Sequence, residues 1–168
     1  MAPDIRGSAR TGEGGKRFMP NGKTSYFADT NLIVYAMDPA AAQRRIYVRD
    51  FLSRIITDHV LVLSPQSLNE CYRVVTEKRN LMPRSDAQRL VAALRKYSTA
   101  PYDFQVTQRA WHVQDRYGYG WWDSMLLASA SLAHCEYFLS EDMQHEQDID
   151  GMAIISPFKV DPALFLPR

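Results

Sequence analysis

The chain has 168 residues, 46% hydrophobic and 23% charged, with a formal net charge of +1. That length suits one domain with a sizeable core, and the composition excludes collagen-like, disordered and membrane-embedded classes. Near-neutrality also excludes a generally basic nucleic-acid-binding domain, so any phosphate-binding surface must be local.

Residues 1–25 carry five basic and two acidic side chains, many glycines and few apolar residues. They predict a disordered tail, followed by a single domain over residues 26–168. Met19 inside that tail admits two readings: an annotated start upstream of the true one, or a flexible arm that touches a partner. No apolar run approaches the roughly 20 residues needed to span a bilayer. The N-terminus lacks the apolar segment of a secretory signal, which predicts a cytoplasmic protein. Cys71 and Cys135 are expected to be free buried thiols in a chain too large to need a disulfide.

From Tyr26 short apolar runs alternate with helical patterns, as in a parallel sheet with crossover helices. Ser25–Ala28 predicts a first strand, and a helical region begins at Asn31, with Pro39 suited to a helix's first turn. Ile46, Phe51, Leu52, Ile55 and Ile56 mark one face of a helix over Arg44–Thr57. His59–Leu63 predicts a second strand, buried on both sides. Ser64-Pro65 is a cap followed by a first-turn proline, opening a helix to about Arg79 with Leu68, Cys71, Tyr72 and Val75 inward.

Ser85 or Asp86 is expected to cap a helix carrying Leu90, Val91, Leu94 and Tyr97. Phe104–Val106 reads as a short strand, and Thr107–Tyr117 as a helix. The Gly118–Gly120 break then precedes an apolar helix over Trp122–His134. Tyr137–Leu139 and Ala153–Ile155 are the last strands. The fold class this implies is a three-layer α/β/α sandwich around a parallel four- to five-stranded sheet.

In such a sheet the C-terminal ends of strands and the N-terminal ends of the following helices share one edge, where ligands collect. Asp29 follows the first strand, Glu70 lies in the second turn of the next helix, Asp123 lies in a helix's first turn, and Asp142 follows a late strand. Topology alone therefore sends four carboxylates to one rim. Like charges gathered there repel and raise one another's pKa unless a cation neutralises them. Oxygen-only ligands suit Mg2+ or Mn2+ rather than zinc, and His59, His112, His134 and His145 show no metal-ligand spacing. A carboxylate-held divalent ion beside phosphate points to phosphodiester hydrolysis.

Each acid has a plainer reading: Asp29 as a helix cap, Glu70 paired with Arg73 or Lys78, Asp123 favouring the helix dipole, and Asp142 in an Asx-turn. Their joint placement favours the metal site.

These segments resemble a known family. Phe27-Ala28-Asp29-Thr30-Asn31-Leu32-Ile33, Ser64–Glu70 with Tyr72-Arg73, Arg116–Ser124, and Phe138–Gln144 continuing through Ile149-Asp150-Gly151 to Ile155–Phe158 are similar, in order, to the motifs of PIN-domain nucleases, in particular VapC-type toxins. The resemblance covers about residues 26–158. It implies a Mg2+- or Mn2+-dependent endoribonuclease, usually a homodimer, inhibited by a cognate antitoxin that occludes its site. Asp29, Glu70, Asp123 and Asp142 match the family's acidic, metal-binding positions. Asn31 matches a supporting polar position, and Ser140 stands where the family commonly has Thr.

Arg73, Lys78 and Arg79, with Arg44, Arg45 and Arg49, are candidates for the local basic surface that RNA phosphates require, or else a solvated helix face. Tyr117, Tyr119, Trp121 and Trp122 either stack unpaired bases or belong to the core or an interface. A phosphatase with a nucleophilic aspartate would want a second Asp where Asn31 stands. The remaining alternative is a non-catalytic PIN fold that binds RNA or protein.

Overall fold

A computed structural model describes residues 22–166. Most of the predicted N-terminal tail therefore lies outside the described residues. The elements are β1 (Ser25–Ala28), α1 (Thr30–Met37), α2 (Ala42–Asp58), β2 (Val60–Val62), α3 (Pro65–Arg73), α4 (Arg84–Leu94), α5 (Phe104–Tyr117), α6 (Trp121–Leu132), β3 (Tyr137–Leu139), β4 (Asp148–Ile149), β5 (Met152–Ile155) and α7 (Pro162–Phe165). The sheet order is β2-β1-β3-β5-β4, with β4 the one antiparallel member.

Side chains alternate across a strand, and here both faces are covered. Tyr26, Ala28, Leu61, Leu139 and Ile155 pack with α1, α2 and α3, whereas Phe27, Val62, Phe138 and Ile154 pack with Val113 of α5 and Leu126, Leu127 and Ala130 of α6. This is the expected three-layer sandwich. No helix among the described residues is long and apolar enough to cross a membrane. Both cysteines are free and buried, as expected.

Several local expectations are overturned. Phe104–Val106 is not a strand but the first turn of α5, which starts at Phe104 rather than Thr107. The Asp103 carboxylate accepts from the amides of Gln105 and Val106 at 3.0 and 3.3 Å. That cap favours helix, and the Val106, Ala110, Val113 stripe is buried while Phe104 stays 65% exposed. Helix α4 begins at Arg84 after Pro83, so Ser85 and Asp86 lie inside its first turn rather than capping it. The second strand is an edge strand, which leaves Val60 36% exposed instead of buried on both sides.

Strand β4, which pairs with β5 in a hairpin, was not among the expected strands. Its turn residues Asp150 and Gly151 have φ of 51° and 93°, the left-handed conformations that an Asp-Gly hairpin turn requires.

Helix α3, which carries Glu70, starts with a reciprocal cap. Ser64 Oγ accepts from the Ser67 amide at 3.2 Å, and Ser67 Oγ accepts from the Ser64 amide at 3.4 Å. Both serines are fully buried. Replacing Ser64 with Ala is expected to lower stability by about 1–2 kcal/mol, read as a shifted urea midpoint at unchanged slope. A midpoint equal to the parent's would show that the cap contributes nothing.

Candidate functional site

The apolar run of β1 ends at Asp29, whose backbone amide continues the ladder to the Leu139 carbonyl at 2.9 Å. Its side chain makes no N-capping hydrogen bond to α1. Instead Ser140 Oγ donates to Asp29 Oδ2 at 2.7 Å, and the same hydroxyl accepts from the Asp142 amide at 3.2 Å. Ser140 itself is locked by its amide on the Ile155 carbonyl at 3.0 Å. One buried hydroxyl thus fixes the carboxylate after β1 relative to the loop after β3.

Asn31, in the first turn of α1, donates through Nδ2 to Asp142 Oδ2 at 2.8 Å. Thr30 Oγ1 donates to Glu70 Oε2 at 3.1 Å, and Gln66 Nε2 donates to Glu70 Oε1 at 2.8 Å and to the Trp122 carbonyl at 3.1 Å. Glu70 is therefore held by neutral donors, and it forms no ion pair with Arg73 or Lys78 among the described residues. Asp123 accepts no side-chain hydrogen bond among the described residues.

All four predicted acids, with Asn31, line one open cavity of about 340 Å³. Lys78 and Arg79 stand on its rim, delivered by the wider turn Val74–Lys78 into which α3 opens. Arg79 is tethered to Asp38 at 2.8 Å, while Lys78 has no acidic partner among the described residues. Arg73 lines an adjoining cavity instead. Arg44 pairs with Glu141 and lies over the Tyr35 and Phe158 rings at 5.3 and 5.0 Å, and neither Arg45 nor Arg49 lines either cavity.

The electrostatics follow from this crowding. Burial pushes the Asp29 carboxyl up to about 7, opposed by the Ser140 and Thr30 hydrogen bonds and reinforced by the charges of Asp123 and Glu70. Burial, then Glu70 and Asp142, also raise Asp123. The cluster thus holds more negative charge than its own cations neutralise, which is the condition a divalent cation relieves.

Among the described residues no three Asp, Glu, His or Cys side chains close around a single point as a ready-made metal cage. Mg2+ does not require one: it retains several waters and is commonly held by one or two carboxylates together with substrate phosphate. The donor set is all oxygen and no histidine lines the cavity, so the residues fit a hydrated Mg2+ or Mn2+ and not zinc.

Thr30 and Gln66 were missed by sequence reasoning, although Gln66 stands four residues before Glu70, the spacing that stacks side chains on one helix face. Of the four aromatics near Asp123, Trp122 alone lines the cavity. Trp121 packs on Val106, Ala110, Met125 and Ala128. Tyr117 donates to Asp150 at 2.8 Å, and Tyr119 donates to Gln147.

Residues 26–147 match the sequence pattern of the PIN domain. In three dimensions the chain is similar to a toxin–antitoxin complex from Klebsiella pneumoniae, at 18% identity and a TM-score of 0.58, over 80% of this chain and 99% of that one. It is also similar to VapBC2 from Rickettsia felis bound to a DNA fragment from their promoter, at 14% identity and a TM-score of 0.60, over 79% and 98% of the two chains. A third likeness is Mycobacterium tuberculosis VapC20, a sarcin–ricin loop cleaving toxin, at 17% identity and a TM-score of 0.50, over 70% and 91%. No curated protein matches the chain by sequence.

Proposed function

Because the chain belongs to the PIN domain family, we propose that its domain, residues 26–168, is a Mg2+- or Mn2+-dependent endoribonuclease. We further propose that it is the toxin of a toxin–antitoxin pair, working in the cytoplasm as a homodimer and silenced by a cognate antitoxin. The observation that carries this reading is the meeting of Asp29, Glu70, Asp123 and Asp142, from four separate segments, on one cavity rimmed by Lys78 and Arg79. The toxin–antitoxin assignment draws support from likeness of fold to a toxin–antitoxin complex and to VapBC2. RNA as substrate draws support from the fold shared with a sarcin–ricin loop cleaving toxin.

In this reading Asp29, Glu70, Asp123 and Asp142 would together hold a hydrated ion, one or two of them directly and the others through its waters. When bound, it supplies Lewis-acid activation of water and neutralises charge on the phosphodiester. Asp123, which accepts no side-chain hydrogen bond among the described residues, keeps a carboxylate oxygen free to orient attacking water. Asn31 and Ser140 orient Asp142 and Asp29, while Thr30 and Gln66 orient Glu70. Lys78 and Arg79 attract the phosphate from the rim, and Arg73 extends that attraction outward.

Metal-stripped protein should gain thermal stability on adding MnCl2, by roughly 2–4 °C for each kcal/mol of binding free energy. It should cleave unstructured RNA with Mn2+ or Mg2+ and stop on adding EDTA. Protein that binds neither ion and cleaves no RNA would leave a non-catalytic PIN fold as the reading.

A further inference from the structure

A second cavity, of about 510 Å³, adjoins the first and shares Glu70, Val74, Lys78 and Trp122 with it. The roles assigned above leave Asn69 and Tyr102 of its outer wall unused. We propose that this cavity is a subsite for an unpaired nucleobase of the RNA strand, next to the nucleotide whose phosphate enters the carboxylate cavity. Trp122 and Tyr102 are its stacking surfaces, and Asn69 reads the edge of the base. The identity of the strand rests on the nuclease reading above.

Three observations carry it. Trp122 and Tyr102 line the cavity while 61% and 44% exposed, which is unusual for large aromatics with no ring partner of their own among the described residues. Their backbones are nonetheless anchored: the Trp122 carbonyl accepts from Gln66, and the Pro101 carbonyl beside Tyr102 accepts from Ser129 at 2.6 Å. Exposed aromatic faces on an anchored backbone suit stacking, because the backbone need not be ordered when a base arrives.

The cavity also carries uncompensated positive charge. Arg73 and Lys78 have no acidic partner among the described residues, and Lys78 belongs to both cavities. A backbone phosphate between the two subsites meets that lysine. Finally, Asn69 presents an exposed amide without a hydrogen-bond partner among the described residues. Side-chain amides both donate and accept, which matches a base edge. The carboxylates of an acidic peptide would use the cations but present no ring to the aromatics, whereas a single nucleotide uses cations, rings and amides together.

The test compares a short unstructured RNA with an abasic ribose–phosphate oligomer of equal length, bound to the full chain without divalent ions so that nothing is cleaved. Wild-type protein should prefer the base-bearing oligomer. Trp122→Ala and Tyr102→Ala should each weaken RNA binding roughly 5- to 100-fold while leaving affinity for the abasic oligomer unchanged. Arg73→Gln should weaken both oligomers alike and reduce the salt slope by about 0.7. Unchanged thermal unfolding of the aromatic variants, whose side chains lie outside the core, would exclude misfolding as the cause. Wild-type protein with no preference for bases, or variants that keep the full preference, would overturn the proposal and leave the groove to a protein partner. Failure of metal-dependent cleavage would instead count against the nuclease reading alone, since base preference is measured without catalysis.

Discussion

Asp29→Asn is expected to lower metal-dependent RNA cleavage by on the order of 10³-fold, equivalent to about 4 kcal/mol of barrier, while raising the stability of the metal-free protein. Both effects have one cause. Asp29 is a buried carboxyl pushed up to about 7 chiefly by desolvation, with Asp123 and Glu70 adding repulsion. An amide keeps an acceptor for Ser140 but provides no charge for a cation.

For stability the direction follows from proton binding. In the unfolded chain an aspartate titrates near about 3.9. Below that pH both states hold the proton and Asp29 contributes nothing to pH dependence. Between about 4 and 7 the unfolded chain releases it while the folded protein keeps it, so stability declines as pH rises, and above about 7 the decline stops. Asp29→Asn removes this decline, so near neutral pH the metal-free variant should be more stable by on the order of 2–4 kcal/mol. Asp123, raised for similar reasons, retains its share of the slope. Urea titrations from pH 4 to pH 8 with EDTA measure the slope, and single-turnover cleavage with Mn2+ measures the rate. A variant that cleaves RNA at the parent's rate would remove Asp29 from the chemistry.

Phe138→Ala is expected to cost about 3–5 kcal/mol, a large share of the 5–15 kcal/mol typical of a domain. Phe138 and Phe27 sit opposite each other on β3 and β1, fully buried and stacked with centroids 5.1 Å apart. Both strands are interior to the sheet, so the void cannot be relieved by moving an edge. The same two strands deliver Asp29 and Ser140, so the loss should reach the site as well. A urea midpoint within error of the parent's would mean that the two central strands are not held by this pair.

The plainer readings of Asp29 and Glu70 both give way in the structure. Asp29 was open to being a helix cap, yet its side chain bonds Ser140 from a segment more than a hundred residues away. Glu70 was open to pairing with Arg73 or Lys78, yet its partners are Thr30 and Gln66. Ser140 and Thr30 arrive from other elements, and of the deciding donors only Gln66, four residues before Glu70 on α3, is local. Phe104–Val106 failed as a strand for the opposite reason: three residues of apolar-polar-apolar texture were weighed without the cap immediately before them, and Asp103 decides for helix. Asp150-Gly151, by contrast, is a hairpin turn legible in the sequence.

What the sequence by itself determined is the layered fold, through strand runs apolar on both faces, and the arrival of Asp29, Glu70, Asp123 and Asp142 at one sheet edge, through their positions after strands and at helix starts. Only the tertiary structure decided which neutral donors hold those acids, which of four neighbouring aromatics faces the cavity, and that Lys78 has no acidic partner among the described residues while Arg79 is tied to Asp38. The physical reason is range. Periodicity and capping act within a few turns of chain, whereas a side chain's partner and its exposure depend on the distance and angle between elements, which packing alone sets.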